Sequence, residues 1–530
     1  MRAGRAAALL LAGALVLSSC GAGGGGGGGS DEPVGEPRPG GSLVWQLPSE
    51  VSTDLHPLES SDPSATGLIS GSVYGKLLDW RTGPDVTDME LEGDLAESWE
   101  ISDDGLTYTF NLRQDVTWHD VEPVNGRPFV ADDVVATITA MKERGLQAYM
   151  LEAVQTVQAP DEHTVVLTLD RPFAPLLEYV AYHTFLMVPR EGIEGQYDLD
   201  TIAIGTGPFL LTEHTPDVEW VFQRNPDYYI ADRPYLDEVR RPVISDTAAT
   251  TAALRSGRLD VGTTSDVNVA DDFRDGDFTV DETPGAPVSF YLNPREEPFD
   301  DVRVRRAVAL AIDWEGMGET IRGSFNLTSI LRPDVSDAAL TEDEVREIRP
   351  YDPEQARQLL AEAGLPDGFA TTLLVQRVDD EDVREAQWMQ ADLAEVGIDV
   401  TIETVDPGTG IERRRNHEFA MTKALRTVHL PDQAWRDFTP GYIENYALIE
   451  DQELVDNYEL TRATTDPDEQ RELHRAMQTR METEIVQALY PIQKFDYTIF
   501  STRTQDLHPV PIHQGRRLAD VWLSDQPESP

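Results

Sequence analysis

The chain carries a single cysteine, Cys20, which follows a short apolar run near the N-terminus. One thiol cannot form an internal disulfide, a cysteine-rich zinc site or an iron–sulfur site. The fold must therefore be stabilised by the packing of its cores. Because one hydrophobic core stops growing near ~250–300 residues, a chain of 530 residues is expected to form two or more lobes. Aromatic residues make up 8% of the chain, which excludes a wholly disordered protein.

The N-terminal segment has the pattern of a secretion signal. Arg2 and Arg5 form a positive region, and residues 6–17 form an uncharged, mostly apolar run. This run is shorter than the ~20 residues that a membrane-spanning helix needs. Residues 17–20 read LSSC and resemble a bacterial lipobox, which implies cleavage before Cys20 and a lipid on its sulfur. The alternative is an ordinary secretory signal with a chance cysteine.

A low-complexity segment follows the cysteine. Residues 21–30 are almost pure glycine, and residues 31–41 are rich in proline, glycine and acidic side chains, which is typical of a flexible tether. The sequence thus predicts a signal peptide over 1–19, a tether over 20–41 and a globular body held outside the cytoplasmic membrane. A protein in that place serves uptake, sensing, cell-wall chemistry or adhesion.

The charge of the chain is strongly negative. Aspartate and glutamate number 96 against 43 lysines and arginines, so the formal net charge is −53. Such a polyanion repels phosphate backbones, and we expect no nucleic-acid partner. Acidity of this kind keeps a protein soluble at high salt, where screening removes self-repulsion, so a saline habitat is a hypothesis.

Strand-like and helix-like segments alternate along the body without internal repeats, which predicts an α/β fold. The predicted strands include 43–47, 108–112, 164–169 and 398–402, and the predicted helices include 134–141, 302–312, 353–364 and a run that begins at Pro467. The last two helices follow an Asp-Pro pair, which is typical of a helix N-terminus.

Common catalytic motifs are absent from the sequence. It contains no His-Glu-x-x-His, no Gly-x-Ser-x-Gly and no phosphate loop, and Gly205-Thr206-Gly207 lacks the third glycine of a dinucleotide loop. Paired acids carry little information in a chain with 96 acids, so glycoside hydrolysis is left unsupported. We therefore predict neither an enzyme nor a cofactor or metal.

An ordered series of segments covers most of the mature chain and resembles the bacterial extracellular solute-binding proteins of family 5, which serve peptide-type ABC importers. The resembling segments are GDLAESWE at 93–100, DDGLTYTFNLR at 103–113, VTWHD at 116–120, FVADDV at 129–134, GTGPF at 205–209, RNPDYY at 224–229, PFDDVRVRRA at 298–307 and AGLPDGF at 363–369. Each segment alone is weak, but their order makes the resemblance specific.

The resemblance implies a two-lobed fold of the periplasmic-binding-protein type, with hinge strands and a ligand cleft between the lobes. The expected parts are a discontinuous lobe I over 41–78, 203–290 and 492–530, an extra subdomain over 79–202 and lobe II over 291–491. It also implies a small-molecule or peptide ligand, an ABC permease as membrane partner and a monomer without a cofactor. Lobe closure needs no covalent step, which fits the missing catalytic motifs.

In peptide-binding relatives, a segment of lobe II carries a basic residue, a Gly-Trp pair and an acid that holds the peptide's amino terminus. Aligned without gaps, Lys423 takes the basic position, Arg426 falls in the Gly-Trp pair and His429 replaces the acid. Asp432 could substitute for that acid only if the loop shifts. The three basic side chains would suit an anionic or polar neutral ligand. The alternative is that they face solvent or pair with nearby acids.

Five further residues are candidate ligand contacts. Trp435 could stack on a solute, Tyr291 and Asn293 lie where the chain should cross between lobes, and Thr53 and His56 lie in the loop after the first strand. A peptide is the leading ligand class. Oligosaccharides, anionic solutes and metal chelates remain open, as do a sensor or adhesin with the same fold and, with less support, a lipid-anchored wall hydrolase.

Overall fold

Helices and strands alternate along the chain in the computed structural model, which describes residues 35–51, 54–60, 63–80, 90–377, 380–425, 428–508 and 516–524. The strands are β1 Ser42–Val44, β2 Leu78–Trp80, β3 Leu91–Gly93, β4 Ala96–Ile101, β5 Thr107–Leu112, β6 Val154–Asp161, β7 Thr164–Leu169, β8 Phe209–Thr215, β9 Glu219–Arg224, β10 Glu238–Pro242, β11 Val261–Thr264, β12 Phe278–Leu292, β13 Phe325–Leu327, β14 Phe369–Gln376, β15 Ile398–Val405, β16 Met421–Leu425, β17 Ala488–Leu489, β18 Ile492–Ser501, β19 Thr504–Gln505 and β20 Trp522–Leu523. The helices are α1 Pro63–Ile69, α2 Ala131–Arg144, α3 Leu176–Val180, α4 Arg190–Ile193, α5 Thr247–Arg255, α6 Val267–Arg274, α7 Val302–Ala311, α8 Trp314–Ile321, α9 Glu342–Ile348, α10 Pro353–Glu362, α11 Asp380–Glu395, α12 Pro407–Arg415, α13 Pro431–Arg436, α14 Gln452–Ala463 and α15 Pro467–Arg480.

Local sequence chemistry explains where the predicted helices begin. The Asp352 carboxylate accepts a hydrogen bond from the backbone N–H of Gln355 at 2.8 Å, and Pro353 occupies the first turn of α10. The Asp466 carboxylate accepts from two backbone N–H groups at the start of α15. Each carboxylate satisfies backbone donors that a helix leaves unpaired at its N-terminus. The Asp-Pro prediction is therefore confirmed for both helices.

Three large sheets organise the described chain. The first has the order β1-β10-β9-β8, and the second, built from β4-β5-β7-β6, is wholly antiparallel. The third has the order β11-β18-β12-β16-β14-β15, and its β14 pairs in parallel with both β15 and β16. Helices α11 and α12 connect these parallel strands, as crossover connections require.

The buried apolar residues form separate clusters along these sheets. One cluster draws nearly all its members from 58–204, a second from 43–74, 186, 209–261 and 500–523, and two more from 288–492. The long strand β12 pairs with β18 near its start and with β16 near its end. It therefore connects the two sides of the third sheet. The chain is a mixed α/β protein of the predicted two-lobed fold class.

The turn at 205–207 is set by close backbone packing. A Cβ atom on Gly205 would lie 1.9 Å from the carbonyl oxygen of Val73, so no other residue fits there. The buried His119 ring contacts the Gly207 carbonyl through Nε2 at 3.0 Å and accepts from the Gly205 N–H. These glycines therefore serve packing.

Residues 37–530 form one compact unit. Within the described ranges, no helix has the length and apolar character needed to cross a membrane.

Candidate functional site

The candidate site is built around the segment that follows β16. This strand lies inside the third sheet, between β12 and β14. The next described residue after β16 is Val428, and helix α13 begins at Pro431. Leu430 is buried in the apolar cluster of residues 58–204, although it belongs to the other part of the chain. The segment after β16 therefore lies where the 79–202 and 291–491 segments meet.

Lys423 lies in β16, and its side chain faces helix α11. Its side chain is fully buried, and its Nζ contacts Asp382 and, at 2.7 Å, a carboxylate oxygen of Glu385. Arg322 donates a second charged hydrogen bond to Glu385 at 2.6 Å. Burial disfavours the charged form of Glu385, but Lys423 and Arg322 outweigh it and hold the pKa of this carboxyl below its ordinary value. A ligand cannot reach Lys423 in this structure.

His429 faces two aromatic residues of the 79–202 segment. Its ring is perpendicular to that of His183 at a centroid distance of 5.7 Å and lies 6.1 Å from the ring of Tyr182. Burial, and to a smaller extent Arg332, lower the pKa of His429 to about 4. The imidazole is thus neutral at neutral pH. The two described members of the predicted basic cluster offer no free cation to an anionic ligand.

Asp432 is buried and already has polar partners. It accepts a hydrogen bond from the hydroxyl of Tyr179 on α3, and its Oδ1 lies 3.1 Å from Nε of Arg462 on α14. Burial raises the pKa of Asp432 despite the opposing effect of Arg462. Arg462 also donates to Glu152 at 2.5 Å. This network joins the two chain segments. The Asp432 carboxylate, which could substitute for the amine-binding acid only if the loop shifted, therefore already has partners.

Trp435 belongs to the core, where it positions a histidine. Its side chain is 1% exposed, its Nε1–H donates to Nδ1 of His474 at 2.9 Å, and the planes of the two rings differ by 13° at a centroid distance of 6.4 Å. An indole N–H can only donate, so Nδ1 of His474 must accept and the neutral ring carries its proton on Nε2. Burial lowers the pKa of His474 to about 4, which keeps this ring neutral.

Three other predicted contacts have structural partners. The Asn293 amide donates to the carbonyls of His417 and Phe419 at 3.1 and 2.8 Å, and the Tyr291 hydroxyl lies 3.1 Å from that of Tyr490. His56 Nδ1 accepts from two backbone N–H groups of its own loop.

The remaining predicted residues, Thr53, Arg426 and the lipidation residue Cys20, lie outside the described residues. Their predicted roles stay predictions.

A cavity of about 810 Å³ lies beside Asp432, between the two segments. Its lining from residues 80–178 includes Trp80, Tyr108, Leu177 and Glu178, and its lining from residues 333–474 includes Val335, Leu430, Asp432, Thr461, Gln470, Arg471 and His474. The volume lies in the usual range of small-molecule sites, and polar and charged residues make up about half of the lining. The described residues contain no group of three or more metal-ligating side chains.

Sequence reasoning missed several residues that shape this site. Glu178, Arg462 and His474 lie in helices where an acid, an arginine or a histidine carries no distinctive motif. Arg436 lies over the ring of Tyr149 at 3.6 Å and thus also contacts the other segment. Of these helices, the sequence indicated only the one that begins at Pro467, and a helix prediction does not reveal which side chains meet across the chain.

Comparisons with known proteins agree with this architecture. The chain is 30% identical over 388 residues to Heme-binding protein A of Haemophilus influenzae, with 67% of this chain and 68% of that protein covered. It is 29% identical over 375 residues to the Dipeptide-binding protein of Escherichia coli, with 65% and 68% covered. The solved structure of the periplasmic binding protein DppA from Helicobacter pylori in complex with the peptide STSA is similar at a TM-score of 0.76 and 24% identity, covering 92% of this chain and 99% of that one.

The family model for bacterial extracellular solute-binding proteins, family 5 Middle, matches residues 90–434, which is well over half of the chain. The match spans the second sheet, the glycine turn and the segment after β16. The chain therefore belongs to the family 5 bacterial extracellular solute-binding proteins.

Proposed function

We propose that this protein is the substrate-binding lipoprotein of an ABC importer, which captures a peptide or a similar small polar solute and delivers it to a membrane permease. The observation that carries the proposal is the cavity lined from residues 80–178 on one side and 333–474 on the other. A peptide is the favoured class because the Escherichia coli relative is named a dipeptide-binding protein. The heme-binding name of the other relative keeps a metal chelate as the second candidate.

The proposed mechanism is capture by closure of the 79–202 and 291–491 segments around the solute. Arg462 links them twice, since its side chain contacts Glu152 and its carbonyl accepts from the N–H of Ala174 at 2.8 Å. A solute that also touches both segments adds contacts that exist only in the closed form. It therefore shifts the population towards that form, which the permease would recognise.

The N-terminal segment would determine where in the cell the protein is held. We propose that a lipid on Cys20 and the tether over 20–41 hold the body at the outer face of the cytoplasmic membrane. The body would comprise lobe I over 41–78, 203–290 and 492–530, the subdomain over 79–202 and lobe II over 291–491.

Capture is tested by recovering the natural solute. We expect native mass spectrometry of the purified protein to show a bound small molecule, and small-angle scattering to show a smaller radius of gyration when that solute is added back. A solute present at 100 times its Kd should also stabilise the protein by ~2.7 kcal/mol. Steady chemical conversion of the solute by the purified protein would contradict the proposal.

The anchor is tested separately with Cys20→Ser. The unchanged chain should carry acyl chains and sediment with membranes, whereas the variant should lack both properties. An unmodified Cys20 in the mature protein would exclude the lipoprotein without affecting solute capture.

A further inference from the structure

The charges around the 810 Å³ cavity do not balance. Arg471 is the one arginine or lysine of its described lining, and it already contacts Asp337 at 2.7 Å and Asp468 at 2.6 Å. The lining carboxyl groups are Glu90, Glu178, Asp337 and Asp432. The cavity therefore has an excess of acid.

Glu178 is the lining carboxyl group that lacks a partner. Asp432 is held by Arg462 and Tyr179, whereas the described residues provide Glu178 with no hydrogen bond or ion pair. Its side chain is half-buried on α3. Burial, and to a smaller extent the charge of Asp432, raise the pKa of Glu178 to about 7. A carboxylate in such a place is stabilised by an incoming cation.

A second polar group of the cavity points to a ligand independently. His474 is 8% exposed and lines the cavity, while its Nδ1 edge is occupied by Trp435. The opposite edge carries Nε2–H, for which the described residues provide no acceptor. This proton is a fixed donor that needs an oxygen or nitrogen acceptor.

We infer that this cavity binds a small solute bearing an ammonium group, which Glu178 holds, and an oxygen acceptor, which receives the Nε2–H of His474. The inference rests on the proposed function and adds the chemical class of the solute. The apolar walls formed by Trp80, Leu177 and Leu430 would cover the alkyl part of such a molecule. The ammonium site lies on the 79–202 segment, so it differs from the lobe II acid of peptide-binding relatives.

The test compares three probes by calorimetry: the dipeptide Met-Leu, N-acetyl-Met-Leu and cadaverine. Met-Leu has both recognised groups, its acetylated form lacks the ammonium group and cadaverine lacks the oxygen. The variant Glu178→Gln keeps the shape of the side chain but removes its charge. Glu143→Gln is the matched control, because Glu143 is exposed on α2 and is not part of the cavity lining.

We expect wild type and Glu143→Gln to bind Met-Leu and cadaverine and to reject N-acetyl-Met-Leu. Glu178→Gln should weaken both cationic probes by roughly 10- to 100-fold, since a charge-assisted hydrogen bond contributes about 1.5–3 kcal/mol. His474→Leu should weaken Met-Leu but leave cadaverine unchanged. This difference separates the two groups of the site.

The pH dependence gives a further readout. Below pH 7, protons should compete with cadaverine for Glu178, so the affinity of wild type should fall by about tenfold per pH unit, whereas that of Glu178→Gln should stay flat. Asp432 is the charged group that acts on this carboxyl, and it is paired with Arg462; the other charged groups of the described lining are Asp337 with Arg471, and Glu90. His474 stays neutral above pH 5 because its pKa is about 4.

Equal binding of Met-Leu and its acetylated form, or equal affinities of wild type and Glu178→Gln, would overturn the inference. Failure of wild type to bind either cationic probe would overturn it as well. The proposed function would survive all three results if the copurified solute still bound and closed the protein. It would fail only if no solute did so.

Discussion

Single buried charges decide much of what this site can contact. Lys423 was predicted as a ligand contact because its segment aligns with the ligand-binding segment of peptide-binding relatives. The register of β16 against β12 places Lys423 opposite Phe290 and turns it to helix α11, where Asp382 and Glu385 surround it. Strand register follows from long-range pairing, which a single sequence does not display. The lysine therefore stabilises a lobe, and removing it should have a structural cost.

We predict that Lys423→Met lowers the free energy of unfolding by about 3–5 kcal/mol, because it leaves Asp382 and part of the charge of Glu385 uncompensated in the core. Urea unfolding at neutral pH measures this loss. Lys494→Met is the control, since Lys494 is half-buried and has no ion pair among the described residues. Equal losses in both variants would contradict the prediction.

The same cluster gives a pH dependence at the acidic end. The folded-state pKa of Glu385 lies below its ordinary value, so the cluster stabilises the fold above that value and loses this contribution as the pH falls through the folded-state pKa. Acid titration of stability should therefore be steeper for wild type than for Lys423→Met below about pH 4.3. Identical acid profiles would show that Glu385 does not depend on Lys423.

At the level of helices and strands, the sequence predicted those features that neighbouring residues determine. The Asp-Pro pairs located the starts of α10 and α15, and strict alternation over residues 398–402 located β15. The meeting of α3, α13 and α14 was not predictable. It depends on Tyr179, Asp432 and Arg462 converging from distant parts of the chain, and no local pattern encodes that convergence.

Helix α14 should hold the two segments together through Arg462. We predict that Arg462→Met favours a more open form with a larger radius of gyration, because Glu152 and Asp432 lose a shared partner. The charged hydrogen bond from Arg462 to Glu152 should contribute about 1.5–3 kcal/mol. Arg346→Met serves as the control, since the described partners of Arg346 are Glu315, Glu342 and Asp343 of its own region. Scattering curves that coincide for both variants would refute this role of α14.

For the whole molecule, the excess of acid governs the response to salt. Arginines in the described chain are shared among several acids: Arg480 contacts Asp451, Glu453 and Glu484. With a net charge of −53, most acids still lack a base. Their mutual repulsion acts over ~30 Å at 0.01 M salt but only ~3 Å at 1 M.

We therefore predict that the melting temperature rises steadily between roughly 0.01 and 1 M salt, and that dilution into low salt promotes unfolding. Sodium and potassium chloride should act alike, because screening depends on ionic strength. A melting temperature that does not change with salt concentration would argue against a saline habitat.

The hydrogen bond between Trp435 and His474 has a practical consequence. The indole shares a hydrogen bond with the imidazole that forms part of the cavity wall. Any molecule that accepts the other imidazole proton would polarise this pair and alter the emission of the indole. We therefore expect solute binding to change the intrinsic tryptophan fluorescence. Trp435→Phe should remove the contribution of this pair and leave that of Trp80, which also lines the cavity.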